Sequence, residues 1–265
     1  LVIGDGAYGQ VAMSDASKRD FEIGREIVAR LAPFDVGQAV VVANGTVLAI
    51  EGAEGTDAML KRVAERRDGA RGGVLVKWPK PGQELRVDMP AIGPNTVAGV
   101  VAAGLQGIAV QAGATLAAQR GDTMDAADAA QVFIAGLEAG AASGLTKTAL
   151  QDDGEIGLAV LGALVPRVRS RGVVVVRRHV LAVEAGEGLG DLVARAAGRR
   201  QWGKSKKRRG ALAVASLSEL DRAVITAAAD AGYQSIVAST VDGAAALGDD
   251  VRSVGMKLSI GGKEV

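Results

Sequence analysis

Apolar residues along the chain follow two alternating rhythms. From Ser14 onward Phe21, Ile23, Ile27, Val28 and Leu31 fall on one stripe and stop before Pro33, which predicts an amphipathic helix. QAVVVANGTVLAIE (38–51) then changes period: two β-rich runs flank Asn44-Gly45, the signature of a tight hairpin. The second run ends at Glu51, and Thr56 is read as the N-cap of a helix DAMLKRVAERR with Met59, Leu60 and Val63 on its apolar side. A buried strand VLV (74–76) follows, then a Pro-rich segment, a helix TVAGVVAAG capped by Asn95 or Thr96 and stopped at Gly104, short strands in LQGIAVQAG and ATLAA, a helical scrap from Asp125 to Ala130, and a last strand QVFIAGL. This βαβαβ order predicts an α/β domain whose sheet is at least partly parallel.

The second half repeats the first. VLAIEGAEG (47–55) and VLAVEAGEG (180–188) agree at six of nine positions, AVVVA (39–43) is echoed by VVVV (173–176), GVLV (73–76) by GALAV (210–214), and AGLQGIAV (103–110) by AGYQSIVA (231–238). Between the last two pairs the second copy is shorter by nine residues, where the first carries PKPGQELRVDMPAIGP and the second has ASLSELDRAVITAAAD, read as a capped helix. EGTDAML has likewise become EGLGDLV. The fold class expected is α/β: two related α/β domains from an internal duplication, with mixed, largely parallel sheets. The expected divisions are a lead-in or linker at 1–14, the domain carrying the site at 15–138, a linker at 139–151 and a structural repeat at 152–265. Core patterning is what folding needs, whereas loops carry function, so chemistry is expected in the loops of the first copy. The apolar strands of the second are expected to pair with the first, or to serve a homo-oligomer.

Composition narrows the picture. There are no cysteines, which excludes a disulfide scaffold and Cys-ligated zinc and fits a reducing cytoplasm. The net charge of +1 offers no global field for nucleic acid, and none is expected as a partner. No apolar run is long enough to span a bilayer; 156–165 falls short and lacks the flank of a signal peptide. Gly4, Gly6 and Gly9 match GxGxxG, but only LVI precedes them and no amphipathic helix follows directly, so the dinucleotide reading is weak. The lone His179, in a strand, reads as structural. Seven basic residues around Trp202, from Arg199 to Gly210, suit either an anionic lipid surface or a solvated loop.

Two stretches carry candidate chemistry. Four of the six prolines fall within KWPKPGQELRVDMPAIGPN (77–95), which holds Lys77, Lys80, Arg86 and Asp88 on a stiff, non-helical loop after a strand. Charged groups on such a loop suit an anionic ligand. Glu51, Glu54 and Asp57 converge on a strand-to-helix turn, where carboxylates serve either the helix dipole or a hard cation.

DVGQAVVV (35–42), EGTDAMLKR (54–62), KWPKPGQELRVDMPAIGPNTV (77–97) and AGLQGIAVQAG (103–113) together resemble the C-terminal domain of the bacterial UDP-2,3-diacylglucosamine pyrophosphatases of lipid A synthesis, over about residues 15–137. The resemblance implies Mg²⁺-dependent hydrolysis, with water attacking the α-phosphate of UDP-2,3-diacylglucosamine to give UMP and 2,3-diacylglucosamine 1-phosphate. It implies that the aspartate of RVDxP, here Asp88, is critical for catalysis. Its EGTD motif maps to Glu54, Gly55, Thr56 and Asp57, and its PKPxQ motif to Pro79, Lys80, Pro81 and Gln83. A pyrophosphate needs cationic neutralisation as its bond breaks; Lys80 and Arg86 are the candidates, while Asp88 either binds metal or orients water. Glu54, Asp57 and Asp88 are the candidate Mg²⁺ ligands, and Lys77, Gln83, Thr56, Asn95 and Thr96 the candidate substrate contacts. The expected partner is a UDP-diacylglucosamine-type lipid, met by peripheral contact at the cytoplasmic face of the inner membrane. Family members also carry a separate N-terminal domain, and this chain starts near where its linker would be. The alternative reading is therefore a non-catalytic sugar-nucleotide or lipid-binding paralogue, or a fragment lacking that domain.

Overall fold

Ser14 starts the first long helix, its side chain accepting from the Ser17 amide, and α1 (Asp15–Leu31) buries Phe21, Gly24, Ile27, Val28 and Leu31 as the stripe requires. The structure, a computed structural model, describes residues 2–79, 89–138, 149–199, 207–242 and 247–264. It divides into two compact units, the first 1–32 with 37–146 and the second 33–36 with 147–265.

The first unit contains β1 (Gly6–Tyr8), β2 (Ala39–Ala43), β3 (Thr46–Ile50), α2 (Thr56–Arg66), β4 (Val74–Lys77), β5 (Ala91–Ile92), α3 (Pro94–Ala102), β6 (Gly107–Gln111), β7 (Leu116–Ala117), α4 (Arg120–Ala129) and β8 (Phe133–Leu137). Its main sheet has the order β1-β8-β6-β4-β2-β3. β4, β6 and β8 are parallel, while β2 is antiparallel to both β3 and β4 and β1 is antiparallel to β8. The carboxyl ends of β3, β4, β6 and β8 therefore lie along one edge, the position at which α/β sheets bind ligands. α1 covers one face. On the other, Met59, Leu60 and Val63 of α2 and Val97 and Val100 of α3 pack with Val41, Leu75, Ile108 and Ile134 of the sheet.

The second unit contains α5 (Asp153–Leu164), β9 (Gly172–Val176), β10 (His179–Val183), α6 (Leu189–Gly198), β11 (Ala211–Ser216), α7 (Arg222–Asp230), β12 (Ser235–Thr240), α8 (Leu247–Ser253), β13 (Lys257–Ile260) and β14 (Lys263–Glu264). Its sheet order is β10-β9-β11-β12-β13-β14. The sense of every successive pair, from the antiparallel β10–β9 to the antiparallel β13–β14, repeats that of the first sheet read from β3 to β1. Local devices recur as well. The buried Asp20 accepts from the Asn44 and Gly45 amides of the first hairpin, and Asp153 from those of Arg177 and Arg178 in the second. The ion pair Glu54–Arg62 reappears as Glu187–Arg195, with the arginine in each case also reaching back to a strand carbonyl, Ile50 or Val183.

Several sequence expectations shift. The lead-in is not a linker: residues 6–8 form the edge strand β1 on β8, and no strand–turn–helix surrounds Gly4, Gly6 and Gly9, so the dinucleotide reading falls. α4 begins at Arg120, not Asp125, because Gln119 in the left-handed region sets its start. ASLSELDRAVITAAAD divides into the end of β11, a short 3-10 turn and α7, which is capped by Asp221. His179 stands at the exposed start of β10 rather than mid-strand. Among the described residues, no helix is long and apolar enough to cross a membrane.

Gly24 lets α1 lie close on its sheet: a Cβ there would stand 2.6 Å from Val76 Cγ2. Gly24→Ala should lower stability by about 1–3 kcal/mol through overpacking. Gly162→Ala, in α5 where a Cβ meets open space, should raise it by up to about 1 kcal/mol from helix propensity. Denaturant unfolding of both variants checks the contrast; equal effects would show that α1 does not need the close approach.

Candidate anion-binding site

Glu51 follows directly on β3 and is 6% exposed. Its main-chain N–H donates to Ala39 O, which continues the hairpin ladder and turns the side chain inward. One carboxylate oxygen accepts from the Gln38 amide at 2.7 Å and the other from Thr56 Oγ1 at 2.8 Å. Thr56 is the first residue of α2 rather than its cap. The cap is Gly55, at φ 85°, which offers no side-chain acceptor to the helix N-terminus. Without one, the first-turn amides of α2 remain available to an anion.

Lys77 closes the chain of contacts. It is the last residue of β4, 8% exposed, and not part of the loop to which the sequence assigned it. Its register partner is Ala39, beside Glu51. Nζ donates to Thr56 Oγ1 at 3.1 Å and to the Ala91 carbonyl at 2.9 Å. Burial pushes the ammonium below the ordinary lysine range, opposed by the charges of Glu51 and Asp57.

A cleft of about 380 Å³ opens here, lined by Glu54, Gly55, Thr56, Asp57, Lys77, Ala91, Ile92, Gly93, Thr96 and Ala118. A second helix start borders it: α3 begins with Pro94 at its first position, after the cap Gly93, whose amide donates to Thr96 Oγ1 at 3.2 Å. β5 holds this wall in place by pairing in parallel with β7. Two helix N-termini and a buried ammonium on one small cleft favour a negatively charged group such as a phosphate.

Of the sequence-derived candidates within the described residues, the cleft brings together Lys77, Thr56, Thr96, Glu54 and Asp57. Asn95 is exposed on the first turn of α3 and does not line it. Lys80, Gln83, Arg86 and Asp88 lie outside the described residues. The chain leaves the described structure after Pro79 and re-enters at Met89, each two residues from a cleft-lining position. Trp78 anchors the departure: it is buried, packs on Phe21 at 5.4 Å between ring centroids, and donates its amide to Gln38 O.

The three neighbouring carboxylates have different tasks. Glu51 is taken up by Gln38 and Thr56, and Glu54 by Arg62 at 2.8 Å, a pair that the second unit shares. Asp57 is exposed on the first turn of α2 and lines the cleft. Among the described residues, no group of three or more His, Cys, Asp or Glu side chains could hold a metal ion. The donors present therefore do not make a protein cage for Mg²⁺. Asp57 does suit the usual manner of Mg²⁺ binding, through one or two carboxylates together with substrate phosphate. Glu51, named with Glu54 and Asp57 from the sequence but not carried into the candidate ligand set, is the residue that sequence reasoning undervalued; its signal was a carboxylate ending an otherwise apolar strand.

Fold and site together define an α/β domain with an anion-binding cleft at the carboxyl edge of its sheet. The family model of the LpxI C-terminal domain matches residues 4–135. UDP-2,3-diacylglucosamine pyrophosphatase LpxI of Caulobacter vibrioides is 40% identical over 139 residues, 50% of this chain and 50% of that protein. The first unit belongs to the LpxI C-terminal domain family, and the chain spans about half the length of the curated relative it matches.

Because folded Lys77 releases its proton at lower pH than the unfolded chain does, the unfolded state holds more protons between the two values. The stability this residue contributes therefore rises with pH across that window. Denaturant unfolding at neutral pH, and again at alkaline pH just below the ordinary lysine value, should show wild type gaining on Lys77→Met. A constant difference would mean that Lys77 titrates normally.

Proposed function

We propose that the chain acts, through its first unit, as a UDP-2,3-diacylglucosamine diphosphatase of lipid A synthesis, releasing UMP and 2,3-diacylglucosamine 1-phosphate. The observation that carries this reading is the buried Lys77 ammonium set between the starts of α2 and α3, in a cleft lined by Lys77 and Ala91, each two residues from where the described chain stops at Pro79 and resumes at Met89. Family membership and the 40% identical relative support it.

In the proposed reaction water adds to the α-phosphorus and the bond from that phosphorus to the bridging oxygen breaks. The resulting charge needs preorganised donors. Lys77 and the open amides of α2 supply them from the described structure, and Lys80 and Arg86 are proposed to add theirs from the segment between Pro79 and Met89. A diphosphate presented to this cleft places negative charge against groups that are already desolvated, where electrostatic attraction is strongest. Mg²⁺, proposed to be held by Asp57 with Asp88, would supply further neutralisation of phosphate charge; Glu54 is left to Arg62. Peripheral contact with an anionic membrane surface is proposed for the basic stretch from Arg199, of which Arg199, Lys207, Arg208 and Arg209 are exposed.

The second unit is proposed to be a duplicate that retained the core and lost the site. In the shared register Val214 stands where Lys77 does, and Leu189 and Gly190 follow the cap Gly188 where Thr56 and Asp57 follow Gly55. Glu184 meets its need for donors from the main-chain amides of Arg171, Gly186 and Gly188 and from the half-exposed Arg171 guanidinium, instead of a hydroxyl tied to a lysine.

Assay of UMP release with and without Mg²⁺ tests the reading. Wild type should turn over UDP-2,3-diacylglucosamine in a Mg²⁺-dependent manner, and Asp88→Ala should abolish turnover while melting as wild type does. An Asp88→Ala protein that keeps most of its UMP release would overturn the assignment.

A further inference from the structure

Glu51 does not line the cleft, yet it is buried beside the cleft's one buried cation and bonded to the group that holds that cation. The second unit shows what the equivalent carboxylate does where leucine and valine replace the threonine and lysine beside it. Glu184 occupies the same place after the hairpin and takes the same kind of amide at one oxygen, from Arg171 where Glu51 takes that of Gln38. Its other oxygen accepts from Gly186 and Gly188 amides, at 2.8 and 3.1 Å. The half-exposed Arg171 guanidinium also stands 3.5 Å from that oxygen, so the fold satisfies this glutamate with amides and a surface arginine and without any hydroxyl. In the first unit the same oxygen instead accepts from Thr56 Oγ1, whose lone pair faces the Lys77 ammonium.

We propose that Glu51 and Thr56 form a positioning relay that fixes the Lys77 ammonium at the mouth of the cleft. The hydroxyl proton of Thr56 is committed to Glu51, so its oxygen is left as an acceptor with one orientation. Lys77 Nζ donates to that oxygen and to Ala91 O, which, among the described residues, leaves its third proton for a ligand. Lysine is a flexible point charge on a four-carbon stem; two fixed acceptors at its tip remove that freedom before a phosphate arrives. Glu51 is thus a positioning residue, acting through Thr56 and Lys77 without touching the ligand.

The catalytic side of this inference rests on the proposed diphosphatase reading, so its test has two readouts in the full-length chain. In UMP release, Thr56→Val should lower kcat by about a hundredfold, as small misplacements of catalytic groups do, with a smaller change in KM, and Thr56→Ser should recover most of the loss. Independently of turnover, the ¹⁵N resonance of Lys77 Nζ, assigned by its disappearance in Lys77→Met, should broaden or shift in Thr56→Val and Glu51→Gln and return in Thr56→Ser. Far-ultraviolet spectra establish that each variant is folded. A wild-type Nζ resonance in folded Thr56→Val and Glu51→Gln would overturn the relay. If wild type releases no UMP but the Nζ resonance responds as described, the relay stands and the diphosphatase reading falls.

Discussion

A carboxylate buried at the end of a hairpin strand must find hydrogen-bond donors, because an ionised group left unpaired inside a protein is strongly disfavoured. Glu51 and Glu184 face the same requirement in the same topological place. One amide, of Gln38 or Arg171, answers half of it in both units and ties the strand's end to the segment before β2 or β9. The other half is answered differently. In the second unit the turn folds its own Gly186 and Gly188 amides onto the carboxylate, and the half-exposed Arg171 guanidinium stands 3.5 Å from the same oxygen. In the first, the demand passes to a side chain, from Thr56 to Lys77, and the buried negative charge supports a buried positive one at the edge of a cleft.

That difference explains why closely similar cores present different surfaces. Apolar patterning, the glycine approach of the first helix to its sheet and the buried Glu–Arg pair are common to both units. Leu189, Gly190 and Val214, in place of Thr56, Asp57 and Lys77, remove the hydroxyl, the exposed carboxylate and the ammonium that line the cleft of the first unit. The core needs none of them, consistent with folding being set by hydrophobic pattern and packing.

Much of this was legible in the sequence. The stripe from Phe21 to Leu31 and the Asn44-Gly45 turn specify α1 and the first hairpin through local geometry alone: Asn44 and Gly45 both take positive φ, as a tight hairpin turn requires. Thr56 misled because threonine is a good cap, whereas glycine at a positive-φ cap gives no polar signal. Lys77 misled because lysine reads as exposed; its burial depends on acceptors from Thr56 and Ala91, which are distant in sequence. The partner of Glu54, Arg62, was not legible either, since their pairing is set by packing and not by composition. The EGTD residues line the cleft, but the motif alone does not apportion tasks among its carboxylates.

The edge strands β1 and β14 have a consequence for how such units are assembled. Both add antiparallel to the outermost parallel strand, β8 or β13, yet β1 comes from a segment preceding its unit's first helix and β14 from one following its last. The five inner strands thus share one order and sense in both units, whereas the sixth position is filled from either side of the chain. An uncovered strand edge offers a row of main-chain donors and acceptors to any extended neighbour. The inner five strands therefore do not dictate which segment of the chain pairs at that edge.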